Sequence, residues 1–167
     1  MKLLSLICLF IAGFTIIAPA QIKTLPSITL LSRNYKYLKA LDNNEVAQPV
    51  QMLEQQAAVY DVKESEFYQD DYDTYYVSFY LPMGYILAIY DSSGKLLSTA
   101  EKFKNIAVPS AVRTAVADRY PKWGISKNIY RVNYEDERGA KKVYKLILEN
   151  GKKRLRVKVN ETGEIIG

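Results

Sequence analysis

Between residues 74 and 91 every second position is apolar or aromatic: Tyr75, Val77 and Phe79, then Ile86, Ala88 and Tyr90. The alternation returns at Tyr144, Leu146 and Leu148, and at Leu155, Val157 and Val159. A period of two is what a strand with one buried face requires, because successive side chains point to opposite sides of a sheet. It predicts strands over 74–81, 85–91, 127–135, 142–149 and 153–160, with short closing strands at 95–99 and 164–166. Turn residues separate them: Pro82 to Gly84, Asp91 to Gly94, Glu137 to Gly139, and Asn150-Gly151, the strongest hairpin signal in the chain.

Elsewhere the period lengthens. Val46, Val50, Leu53 and Ala57 recur at helical spacing behind Asp42, Asn43 and Asn44, which suit a helix N-cap. They predict a helix over 45–58 with Pro49 tolerated in its first turn. Val112, Ala115, Val116 and Tyr120 predict a second helix, led by Pro109 and stopped by Pro121. Residues 59–62 read as a strand opening, residues 34–41 as a short helix or strand, and residues 21–34 as an edge strand or a segment laced over the sheet.

The two halves follow one script. Tyr90 to Leu97 matches Val159 to Ile166 in pattern at a spacing of 69 residues. Self-similarity at a fixed period marks a supersecondary unit repeated to build one larger core. The chain therefore divides into residues 1–20, a segment 21–44, a first and degenerate copy 45–100, and a second copy 101–167.

Residues 1–20 read as a targeting signal. Lys2 precedes an apolar run from Leu3 to Ile17, and Ala18-Pro19-Ala20 supplies an A-x-A cleavage pattern, so cleavage is expected after Ala20. The run is shorter than the roughly 20 residues that span hydrocarbon. The expected location is periplasmic or secreted, with no stable membrane insertion after cleavage. Cys8, the only cysteine, falls inside the signal, and the chain has no histidine. That removes disulfides, thiolate nucleophiles, the commonest metal ligand and the usual general base from the exported chain. An enzyme built without them would need a carboxylate pair or a Ser-Lys dyad, and neither motif is present. Nor is any glycine-rich phosphate loop, so no cofactor is expected. The net charge of +5 with both signs interspersed favours solubility and does not by itself indicate nucleic-acid binding. Fourteen tyrosines against five Phe and one Trp is unusual, and tyrosine suits both strand faces and recognition surfaces.

Tyr120, Pro121 and Trp123, then Tyr130 and Val132, Tyr144, Asn150-Gly151 and Gly163 form a series that resembles the PepSY-like family, itself described as resembling beta-lactamase inhibitory protein. The resemblance is clear over 107–166 and degenerate over 45–100. It implies an α+β fold of two tandem copies, each a helix packed on a four-stranded antiparallel meander with the helices on one face. It also implies an exported bacterial protein without enzymatic activity, related to domains that restrain secreted metallopeptidases.

Strand parity then assigns faces. The alternating sets above lie under the helices, and the opposite face carries Tyr76, Ser78, Tyr80, Tyr85, Leu87 and Ile89 in the first copy but Lys145, Arg154, Arg156 and Lys158 in the second. An aromatic patch away from the helices needs a cover, either the segment 25–41 or a partner. The expected partner-binding residues are Tyr76, Tyr80, Tyr85, Leu87, Arg154, Arg156 and Lys158, facing a protein or peptide of the envelope with an acidic rim. A structural envelope protein that associates with itself is the alternative. Other clusters read more plainly. The acidic residues Glu64, Glu66, Asp70, Asp71 and Asp73 lack EF-hand spacing and are expected to be solvated, with no metal site. Trp123 is expected to seal the core, and Lys141-Lys142 with Lys152-Lys153 to be solvated hairpin ends or a steering patch for anionic surfaces.

Overall fold

The structure, a computed structural model, describes residues 33–42 and 45–167. The expected signal at 1–20, the lacing segment up to residue 32, and the capping residues Asn43 and Asn44 lie outside the described residues. Among the described residues three helices, α1 (Tyr35–Leu41), α2 (Gln48–Val59) and α3 (Ser110–Arg119), accompany six strands: β1 (Thr74–Leu81), β2 (Gly84–Asp91), β3 (Leu96–Lys104), β4 (Gly124–Glu135), β5 (Gly139–Asn150) and β6 (Lys153–Asn160). All six strands form one antiparallel sheet in the order of the chain.

The α+β class and the hairpins follow the sequence pattern closely; the repeat is less regular than expected. Each half contributes three strands to the sheet, not the four expected of each copy. In the first copy Val62–Glu64 is a 3-10 turn where a strand opening was expected, held by Asp61 accepting from the Lys63 N–H. In the second, the expected closing strand is a single bridge, Val159 to Ile165. The missing element is made up in the middle. β3 runs on to Lys104, well past the expected end at residue 99, and pairs with β4 from Ser98↔Glu135 to Lys104↔Ile129. That pairing joins the two halves into a single sheet.

The predicted parity holds in β1, β2, β5 and β6. Tyr75, Phe79, Ile86, Ala88, Tyr90, Phe103, Tyr130, Val132, Tyr144, Leu146, Leu148, Val157 and Val159 are buried with Val50, Leu53, Ala57, Val112 and Val116 in one core cluster. Aromatic contacts organise it, with Tyr130 stacked on Tyr144 at 4.7 Å between centroids and Tyr37 edge-on to Tyr134 at 5.1 Å. Trp123 is half-buried against the same core.

Helix ends are secured by distant residues. α2 starts after Ala47, whose side chain caps nothing, so the expected Asp-Asn-Asn cap is replaced by a later start. α3 has no side-chain cap from Pro109; instead the Glu45 carboxylate accepts from the Ser110 N–H at 2.8 Å and from its hydroxyl. Those bonds hold the Glu45 carboxyl below its ordinary range. Buried Asn34 donates to Ala58 O at 2.9 Å and accepts from the Leu96 N–H at 2.8 Å, tying α1, α2 and β3 together. Gly163, at φ +90, lets the last turn rest on α3, since a Cβ there would lie 2.8 Å from Ala111 O.

Candidate functional site

The face of the sheet turned away from α1, α2 and α3 is built from the residues that alternate with the core. In register they form rows across the strands: Tyr76, Ile89, Ser98 and Glu135; Ser78, Leu87, Ala100, Asn133 and Lys141; Tyr80, Tyr85, Lys102, Arg131 and Val143; Lys104, Ile129, Lys145 and Lys158. Tyr76 and Tyr80 are 76% and 69% exposed and Leu87 42%, unusual for large side chains. Tyr80 faces Tyr85, which is half-buried, with ring centroids 6.3 Å apart.

Tyr76, Tyr80, Tyr85 and Leu87 are therefore brought together on β1 and β2. Arg154, Arg156 and Lys158 are brought together on β6, but the two groups are not neighbours. Three strands intervene, and β1 lies about 24 Å from β6 at about 4.8 Å per strand spacing. The cations beside the tyrosines are Lys102 and Arg131, in the same row as Tyr80 and Tyr85. Lys102 and Lys104 were missed because β3 was expected to end at Thr99, and Arg131, inside the expected strand 127–135, was assigned to neither face. Extending the two-residue period past Thr99 was the signal that pointed to Lys102 and Lys104.

The expected cations are also not equivalent. Arg154 is held by Glu149, directly opposite it, at 2.7 Å. Arg156 and Lys158 make no ion pair with a described residue, and neither do Lys102, Lys104, Lys127, Arg131 or Lys145. Lys142 does not belong to a basic surface at all. It lies on the core side of β5, buried, and donates to Leu41 O.

Two broad depressions mark the face. One, of about 640 Å³, lies over Tyr76, Ser78, Leu87, Ile89, Ala100 and Asn133. The other, of about 660 Å³, has Ile129 and Ile147 on its floor and Lys104, Lys127, Lys145, Arg156 and Lys158 around it. An apolar floor inside unpaired cations suits an acidic partner carrying apolar anchors, since opposite potentials steer encounter while buried apolar area supplies affinity.

The strongly perturbed ionisable groups lie on the other side of the sheet. Glu101 is 3% exposed and Glu54 2%. Glu101 Oε1 accepts from Tyr37 OH at 2.9 Å and Thr99 Oγ1 at 2.7 Å, and its carboxyl also hydrogen-bonds that of Glu54. Burial pushes the Glu101 carboxyl up to about 7 against these bonds and the nearby Lys142 charge. Burial and the Glu101 charge push the Tyr37 phenol well above its ordinary value. Perturbed groups often mark active sites. These two carboxyls, sealed under α1 and α2, offer no room for a substrate and serve to join the helix layer to β3. Among the described residues no group of three or more carboxylates could hold a metal ion, and no helix is long and apolar enough to cross a membrane.

No protein-family model matches the chain, and no curated protein matches it. Among solved structures, a BLIP-like protein from Bacteroides fragilis is similar at 14% identity, over 80% of this chain and 83% of that one, with a TM-score of 0.32.

Proposed function

We propose that this is an exported, non-enzymatic binding protein of the PepSY-like kind, whose helix-free sheet face docks on a protein or peptide of the periplasm or the surroundings of the cell. Export rests on the signal pattern of residues 2–20. The observation that carries the binding reading is the open face itself: Tyr76, Tyr80 and Leu87 stand exposed on β1 and β2, and the row of Tyr80 continues into Lys102 and Arg131, cations that no described acid neutralises. Tyrosine and arginine are the residues interfaces favour, because they bury area at low entropic cost and form directed bonds. The partner this face fits has an acidic rim around apolar anchors. Restraint of a secreted enzyme such as a peptidase is the form of activity to test first.

The test is crosslinking in the intact envelope followed by mass spectrometry. Wild type, a Tyr76→Ala/Tyr80→Ala variant and a Lys102→Glu/Arg131→Glu variant are compared, each shown to be folded by circular dichroism. The expected result is one acidic partner captured by wild type and lost from both variants. Equal capture by all three would end the proposal.

A further inference from the structure

The two edges of the sheet are protected very differently. β6 carries Lys153, Arg154, Arg156 and Lys158, and its outer side is occupied by the returning chain through Ile166 N–H to Lys158 O at 2.8 Å and the Val159–Ile165 bridge. Charge and coverage are the usual means of blocking edge-to-edge pairing. Among the described residues β1 has neither. Its eight residues, Thr74 to Leu81, contain no charge and no proline. They pair with β2 in unbroken register from Thr74↔Asp91 to Leu81↔Gly84, so no bulge twists the edge away. Among the described residues, no backbone hydrogen bond reaches the outer side of β1. Every second residue of such an edge directs its N–H and C=O groups outward, unpaired.

We propose that β1 pairs with β1 of a second copy, antiparallel and about a two-fold axis at Ser78, joining two six-stranded sheets into one of twelve. This does not rest on the open-face reading. Three observations select the second copy and its orientation. First, β1 is neutral along its length, so self-pairing opposes no like charges. Second, directly opposed residues must share a face of the sheet, so a two-fold axis passes through a residue. With the axis at Ser78, Tyr76 of one copy lies opposite Tyr80 of the other, twice, forming a four-tyrosine patch on the open face. Third, the flanks of β1 are opposite in sign. Asp70, Asp71 and Asp73 precede it, while Lys102 and Lys104 line the depression at its far end with Tyr80, Pro82 and Tyr85. Antiparallel pairing sets the acids of each copy beside the cations of the other; parallel pairing would set like beside like. The interface is isologous, so it closes at two copies and leaves the protected β6 edges outermost.

Sedimentation equilibrium of the chain, purified as its cell makes it, should give a monomer–dimer equilibrium that weakens as salt rises. Ser78→Lys places two ammonium groups face to face on the axis and should weaken dimerisation at least about tenfold, whereas Ser78→Thr should leave it intact. Lys102→Glu with Lys104→Glu should weaken it less, through the flanks. Hydrogen exchange adds a readout independent of folding: protection of the outward β1 amides should rise with protein concentration. A monomer at every concentration overturns the proposal. So does β1 protection that does not depend on concentration, which would assign the edge to residues 21–32 of the same chain, and so does a dimer indifferent to Ser78→Lys.

Discussion

The β1–β2 and β5–β6 hairpins carry the same pattern 69 residues apart, and they agree on one face only. Toward the helices, Tyr75, Phe79, Ile86, Ala88 and Tyr90 correspond to Tyr144, Leu148, Leu155, Val157 and Val159, a conversation among apolar side chains in both halves. Toward the open side, Tyr76, Tyr85, Leu87 and Ile89 correspond to Lys145, Arg154, Arg156 and Lys158. The lesson is about constraint. A position that must fill a closed core accepts only side chains of suitable volume, because voids and overpacking both cost stability. A position on the open side meets, among the described residues, little beyond its cross-strand neighbours, so packing leaves its chemistry free to vary.

The comparison is sharpened first by truncating the shared face. Ile86→Ala and Leu146→Ala remove fully or almost fully buried side chains, 0% and 1% exposed, from opposite halves of the sheet. Each should cost about 2–5 kcal/mol in denaturant unfolding. A small loss in one half alone would show that the halves do not share a core.

The strand that joins the halves should set the pH dependence. Because the folded-state carboxyl of Glu101 titrates at about 7, against 4.5 for an ordinary carboxyl, the folded chain holds a proton over that window that the unfolded chain releases. Stability should therefore fall as pH rises from about 4.5 to about 7 and level off above, with a total change of a few kcal/mol. Glu101→Gln keeps an acceptor for Tyr37 and Thr99 and removes the titration. It should flatten that slope and stabilise the protein at pH 8, as read by chemical denaturation at both ends of the window. An unchanged slope would show that Glu101 is not the titrating group.

Gly84 tests the asymmetry left by that strand. It begins β2 as Lys153 begins β6, yet only Gly84 has β3 beside it. A Cβ at residue 84 would fall 2.1 Å from Lys102 O and 2.7 Å from Phe103 Cα. Gly84→Ala should cost about 1–3 kcal/mol as β2 and β3 are forced apart, while Lys153→Ala, on the exposed edge, should stay within about 0.5 kcal/mol. Equal effects would contradict the fused sheet.

The smallest effect on stability should come from exchanging the open faces. Leu87→Arg combined with Arg156→Leu swaps side chains at positions that correspond in the two copies, and should move the unfolding midpoint by no more than about 0.5 kcal/mol. Its expected consequence is altered partner capture with an unaltered fold. A large loss of stability would mean that the open face is covered in the native chain.

Local chemistry made much of this molecule legible. Strands 74–81 and 153–160 appear in the structure with the bounds expected from alternation and from their turns. Parity told the core face from the open face in both hairpins, because a period of two and a tight turn leave little freedom of register. The failures share a cause. Residues 59–62 looked like a strand but close α2 and enter a 3-10 turn, since propensity over four residues yields to the packing around them. β3 looked short because its inward positions include Thr99 and Glu101, polar residues whose burial is made tolerable only by Tyr37 and Glu54 from α1 and α2. Lys142 looked solvated because its acceptor, Leu41 O, is 101 residues away.

The sequence by itself determined the hairpins and their faces, both of which depend on neighbours within a few residues. Tertiary structure alone decided that the two halves fuse through β3 and β4, that Lys102 and Arg131 stand beside Tyr80 and Tyr85 while Arg154 to Lys158 lie on the far edge, and that β1 is the other edge strand. Those features depend on which distant strands meet, and pairing between strands far apart in the chain is settled by the whole packed core, which no local window of residues contains.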